Sequence, residues 1–371
     1  MALAFQLLSK LRLGAETCRC GNFRINSKSI LNLYNSRNRR NIHNKKLEDI
    51  DRSAKIRSFV LGRYINYVKD YDKVLETRFP AAMRVYRVFM VGTKEFYTDL
   101  KSFLRIIKAL NTSKDGFKCL KRNEIELYHK MPKDMVRVAP VLLLSAVPLS
   151  NYLIFPLAYF FPRFLLSSHF WSIQQRSEFA IMNLSKRLAH YKPVFRCIQE
   201  RLKDIQPMEM HLKWAEVISL LGSGQQPTAH VINECKCLYD EKNVYHIKQL
   251  TKPHIKELLK MHNLRVGLFR RRRRLIDHAK ILHEMDMAIL REGGVTDMTC
   301  DVLKNALFIR GLNGTNMKHE DMIQFLNSWL CVSQSLDENN ITLLLHLPIL
   351  LAYNQPSNWM LIYNKRYKHI V

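Results

Sequence analysis

The chain is short of acid: 32 Asp and Glu face 59 Lys and Arg, a formal net charge of +27 at pH 7 over 371 residues. An excess of that size predicts anionic partners, phosphates on nucleic acid or on lipid headgroups, without choosing between them. Zinc-type cysteine spacing is also lacking. The eight cysteines stand at 18, 20, 119, 197, 235, 237, 300 and 331, with two Cys-x-Cys pairs but no pair of Cys-x-x-Cys spacings to build a zinc site. Free thiols in a reducing compartment are expected, and a metal set of Cys235, Cys237 and His230 is the lesser alternative. Phosphate loop, nucleophile elbow and metal-ligand spacing are all missing, so no enzyme is expected and no cofactor is implied. No long run alternates apolar and polar residues, which excludes a half-buried sheet and leaves an all-α class. With 47% hydrophobic residues the chain holds ample material for a core.

What is present begins at the N-terminus. From Met1 to Lys46 there are ten basic residues against one acid, Glu16, and "MALAFQLLSKLRLG" sets apolar and basic faces at helical spacing. That pattern reads as a mitochondrial presequence, removable up to roughly residue 40. A flexible basic tail is the alternative. A second signal is "VAPVLLLSAVPLSNYLIFPLAYFFP", Val138 to Pro162, 25 residues without a charge between Arg137 and Arg163. About 20 apolar residues suffice to cross a bilayer. Pro148 and Pro156 make it a kinked span, since neighbouring groups in a membrane satisfy the carbonyls that prolines free. A buried core hairpin is the competing reading. Six basic residues lie in the twenty positions before the span and two in the twenty after, so the positive-inside rule places the N-terminal side in the matrix.

The expected divisions are 1–46 presequence and basic tail, 47–130 an N-terminal helical region, 131–165 the transmembrane segment, and 166–371 a helical domain. Before the span two amphipathic helices are predicted, one with its apolar face through Phe59, Val60, Tyr64, Tyr67 and Tyr71, the next after a break at Pro80. After it, "SEFAIMNLSKRLAHYKPVFRCIQERL" and "MHLKWAEVISLLG" read as helices, the latter stopped by Gly222 and Gly224.

Leu250–Leu264 and Met298–Leu312 then align without gaps, 48 residues apart. Thr251 and Thr299 are placed as N-caps whose hydroxyls accept from a free helix N–H, and Pro253 sits in the first turn, where its missing N–H costs little. Each copy continues through Gly267 or Gly314 into a second helix, "LIDHAKILHEM" or "EDMIQFLNSWL". Two helix–turn–helix copies predict one unit used twice on a shared core, and the arrangement resembles the SAP-type nucleic-acid-binding fold. Five consecutive arginines, Arg270 to Arg274, occupy the loop and first turn of the second helix in the first copy. Cations there oppose the helix macrodipole, and five successive residues at about 100° each cannot share one face. An external phosphate on RNA or lipid is therefore the expected partner, with a solvated surface or a nuclear-import signal as alternatives.

Several motifs in order carry a family resemblance: "RVAPVLLLSAVPLSNYLIFPLAYFFPRFLLSSHFW", "LTKPHIKELLK", "LREGGV", "VLKNALFIRGL" and "ITLLLHLPILLAYN". Together they resemble the LETM family of mitochondrial inner-membrane proteins, from about Leu120 to Tyr353, and most resemble its short members, without room for the C-terminal leucine zipper and EF-hand of the long ones. The resemblance implies one inner-membrane span, an N-terminal part toward the intermembrane space, which is the reverse of the charge rule, and a matrix domain similar to a ribosome-binding module. It also links the chain to K⁺/H⁺ or Ca²⁺/H⁺ exchange and volume control. Where long members carry a glutamate and a lysine in the span, Asn151 and Tyr159 stand here, so direct exchange loses the ionisable groups such transport uses and would require a homo-oligomer.

"ITLLLHLPILLAY", Ile341 to Tyr353, is too short to cross as a helix and reads as core, His346 included. The expected function is a membrane-tethered protein whose basic helical domain docks on the mitochondrial ribosome. Arg270, Arg271, Arg272, Arg273 and Arg274, with Lys252 and Arg265, are the expected phosphate contacts. Cardiolipin-dependent membrane organisation is a further alternative.

Overall fold

The computed structural model describes residues 80–113, 116–145, 157 and 160–363. Contacts divide the chain into two units, residues 1–90 with 144–151 and residues 91–143 with 152–371. The second unit is described below. Among the described residues every regular element is helical, as the absence of strand alternation requires. The presequence and the helix expected through Phe59 and Tyr71 lie outside the described residues.

Helix α1 (Pro80–Thr112) has Pro80 as its first described residue, and the residues before it, where the sequence marks a break, lie outside the described residues. A short 3₁₀ turn at Gly116–Cys119 leads to α2 (Arg122–Ser145), whose start is closed by the Glu124 carboxylate accepting from the Lys121 N–H at 3.0 Å. Tyr128 of α2 packs on Phe117 at 5.3 Å and Phe103 of α1 at 6.0 Å between ring centroids. The last turns of α2 hold Val138–Ser145, the beginning of the charge-free stretch, with Val138 and Val141 buried in the helical unit. Residues 146–156, 158 and 159, which include Pro148, Asn151, Pro156 and Tyr159, lie outside the described residues. Among the described residues no helix is long and apolar enough to cross a membrane.

Beyond the stretch come the short α3 (Pro162–Leu165), then α4 (Ile173–Leu188) and α5 (Tyr191–Glu200). The stretch from Ser177 to Leu202 is helical as expected, in two helices separated at Ala189–His190. Pro193 explains the break: it cannot donate to the carbonyl of residue 189 and is accommodated only in the first turn of a new helix. Helix α4 starts at a capping box, Ser172 and Gln175 satisfying each other's backbone N–H. Helix α6 (Met208–Gly222) ends at its predicted glycines, Gly224 taking φ +88°, and α7 (Ala229–Glu234) follows.

Four helices then form two pairs: α8 (Lys252–Met261) with α9 (Arg271–Arg291), and α10 (Cys300–Ile309) with α11 (His319–Gln334). Thr251 caps α8 by accepting from His254 N–H at 3.4 Å. Thr299 holds the equivalent position but its side chain makes no cap bond, a correction to the expectation that both hydroxyls do so. Helices α9 and α11 pack on α12 (Thr342–Ala352), α8 reaches it through His254 and His346, and every residue of α12 is buried, Pro348 included. A helix apolar on all sides belongs at the centre of a core, and each of its leucines contributes about 1.5–3 kcal/mol by leaving water. Helix α13 (Pro356–Tyr363) closes the described chain.

Candidate anion-binding interface

The candidate interface is built on how α8 and α10 end. Asn263 (φ 51°) and Gly311 (φ 89°), aligned in the two copies, each take the left-handed conformation after their helix. The N–H of Leu264 returns to Leu259 and that of Asn263 to Lys260; Leu312 returns to Leu307 and Gly311 to Phe308. Both ends are thus Schellman closures, which satisfy carbonyls a helix would otherwise leave unpaired. Three carbonyls of these two ends converge on one side chain. Arg187 of α4 donates Nε to Met261 at 2.9 Å, Nη1 to Phe308 at 2.6 Å and Nη2 to Ile309 at 3.0 Å. Burial pulls its affinity for the proton down, and the negative ends of two helices are what such a cation needs.

The two helices of the first pair run in the same direction. Arg272, at the start of α9, donates Nε to Ile247 and Nη2 to Leu250, both at 3.1 Å, beside the start of α8. Further along, His278 Nε2 lies 3.2 Å from His262 Nδ1 at the end of α8. The connection from 263 to 270 must therefore run back along α8, and its carbonyls need donors. The arginines supply them. Arg271 Nε donates to Val266 at 3.1 Å and to Gly267 at 2.8 Å; Arg274 donates to Arg265, Gly267 and Phe269. Side chains in a helix point toward its N-terminus, so these guanidinia reach the loop before them.

Of the five arginines expected to meet an external phosphate, three have partners within the fold. Arg271, Arg272 and Arg274 pin backbone. Arg270 is exposed with φ 56° at the N-cap, and Arg273 is exposed with only a 4.0 Å approach to Asp277. Lys252 and Arg265 are exposed as well. Because Arg272 ties the turn before α8 to the first turn of α9, Lys252 shares this end of the pair with Arg270 and Arg273. These four face water with their charge available.

Sequence patterns placed His346 in the core but missed the polar partners buried around it. His346 donates Nδ1 to Thr342 O at 3.0 Å, which leaves its Nε2 to accept from His254 Nε2 at 3.0 Å. His262 donates Nε2 to Leu345 O at 2.9 Å, so its Nδ1 accepts from His278. The carbonyl in each row fixes the tautomer. Burial holds all four neutral: His346 is lowered to about 4, His262 to about 3, and His254 and His278 well below the ordinary range. Asp286, fully buried, accepts from Arg310, from Trp329 Nε1 at 2.9 Å and from Ser333 Oγ at 2.6 Å. These partners lie 24 to 47 residues from Asp286, beyond any periodic signal.

A third row, Ser167 Oγ to His169 Nδ1 at 2.9 Å and His169 Nε2 to Asp99 Oδ2 at 2.8 Å, borders a cleft lined also by Lys94, Lys130 and Arg176. Ser167 is wholly buried, so this row orients elements rather than presenting a nucleophile. Burial pushes the Cys235 thiol up to about 11, His230 pairs with Glu234 at 3.3 Å, and among the described residues no group of three His, Cys, Asp or Glu could hold a metal.

Comparison with known proteins agrees with this architecture. Residues 120–350 match a family model described as "LETM1-like, RBD", from α2 through nearly all of α12. "LETM1 domain-containing protein 1" of Xenopus tropicalis is 30% identical over 295 residues, 79% of this chain and 83% of that relative. The proteins of the same description from Bos taurus and Homo sapiens are 28% identical over 299 residues and 27% over 291, each across 76% of this chain and 79% of the relative. With the helical pairs, their shared core and the match over well more than half its length, the chain belongs to the LETM1-like family.

Proposed function

We propose that the chain is a mitochondrial inner-membrane protein, tethered by the Val138–Pro162 stretch with its C-terminal domain in the matrix, and that this domain binds the mitochondrial ribosome. The observation that carries the reading is the set of Arg270, Arg273 and Lys252, exposed and almost unanswered by acid at the start of the α8–α9 pair, with Arg265 exposed on the connecting loop. The family model's term RBD, taken as ribosome-binding domain, supports the choice of partner. The two helical pairs, read as one unit repeated, give the domain two similar faces, of which only the first carries the cations; the second has "MKHED" at the matching place. Phosphates of ribosomal RNA would meet the four cations, and selectivity would come from shape or from a ribosomal protein.

The test is co-sedimentation of the full chain, in detergent, with purified mitochondrial ribosomes across a salt series. Affinity should fall steeply as salt rises, since each neutralised phosphate releases counterions. Absence of binding at low salt, or binding indifferent to salt, would reject the reading.

A further inference from the structure

The loop between α8 and α9 ends in an apolar doublet, Leu268 and Phe269, at 81% and 83% exposure. Two large hydrophobic side chains side by side in water, at a loop tip, call for an occupant. The tip is not slack: Arg271 and Arg274 donate to the carbonyls of Arg265, Val266, Gly267 and Phe269. The backbone under the doublet is therefore held in place while its side chains point away from the core. Around it stand Arg265 before and Arg270 to Arg274 after, and from Asn263 to Asp277 the sole acid is Asp277.

The chemistry of the occupant follows from both parts. An RNA surface would use the cations and stack on Phe269, but would leave Leu268 in water. An apolar protein groove would take both side chains and leave the arginines without counter-charge. An anionic bilayer satisfies both, with side chains below the headgroups and guanidinia at phosphate level. We infer that the Leu268–Phe269 tip inserts into the interfacial layer of an anionic phospholipid bilayer, with Arg270 and Arg273 on headgroup phosphates. This goes beyond the ribosome reading and is independent of it; because the two share Arg270 and Arg273, lipid and ribosome compete for this end of the domain.

The experiment places a reporter at the tip of the full chain, Phe269→Trp. Trp171, Trp214 and Trp329 are buried and Trp359 is exposed, so the reporter is placed in a Trp359→Phe background, and subtracting the emission of that background isolates the new indole. The protein is reconstituted in nanodiscs containing cardiolipin with brominated acyl chains and, separately, in phosphatidylcholine nanodiscs to which brominated cardiolipin-containing vesicles are added. A blue shift and quenching of the added indole in either anionic arrangement, relieved by salt and by Arg270→Gln with Arg273→Gln, is expected. Adding Leu268→Ser should weaken vesicle binding about tenfold, the worth of one lost leucine side chain. An indole left unshifted and unquenched in both arrangements overturns the inference. So does an indole that responds only to added mitochondrial ribosomes, which would assign the tip to that partner. Thermal melting of each variant separates these outcomes from misfolding.

Discussion

Replacing the arginines two at a time should separate their two roles. Arg272 and Arg274 together make five hydrogen bonds to loop carbonyls. At about 1 kcal/mol for each bond at a half-exposed site, less a share because water replaces some of them, Arg272→Ala with Arg274→Ala should destabilise the domain by about 3–4 kcal/mol. For a domain of some 200 residues that is a fall of roughly 10 °C in melting temperature. Arg270 and Arg273 make no such bonds to the loop, so Arg270→Gln with Arg273→Gln should stay within about 0.5 kcal/mol of wild type. Ribosome co-sedimentation should report the reverse. Loss of two phosphate contacts flattens the slope of log K against log salt by about 1.4–1.8, and the effect should persist well below the melting range. The assays are circular dichroism melting and salt-series co-sedimentation on the same preparations. If both pairs lower the melting temperature alike, or if the Arg270 and Arg273 change leaves the slope unaltered, the division of labour is wrong.

Gly311→Ala should destabilise by about 2–4 kcal/mol, read by urea unfolding, since a Cβ there overlaps the Tyr191 hydroxyl in a left-handed backbone; Asn263→Gly, at the aligned position, should change stability by less than about 1 kcal/mol. Asp286→Ala leaves Arg310, 2% exposed, without its carboxylate and should cost about 3–5 kcal/mol, and a variant within 1 kcal/mol of wild type would show the network to be dispensable. Stability should also fall on acidification. Unfolded, His262 and His346 take up protons below about 6.5, but folded only near 3 and 4. Between those values the unfolded state binds more protons, so each histidine removes up to about 1.4 kcal/mol per pH unit. Urea midpoints at pH 7.5 and 5 check this, and His346→Gln should flatten the dependence; equal midpoints would refute it.

Local chemistry was enough for much of the fold. Thr251 followed by Pro253, the apolar period of α8 and α10, and Gly224 after α6 each act within one or two turns, so the sequence alone determines those helices and their ends. The charge-free run Ile341–Tyr353, too short for a membrane, marked the core for the same reason. Tertiary structure decided the rest. Pro193 could have bent one helix or divided two, and the packing of Tyr191 and Val194 on the core settles it. The arginine run was legible as a cationic patch, but which members face outward depends on the loop doubling back along α8, a path set by contacts to Ile247 and Leu250 that no local pattern records. Arg187 looks like any surface arginine in α4. Only the convergence of two helix ends more than seventy residues away makes it the cation that joins them, because unpaired carbonyls acquire a location only when the chain is folded.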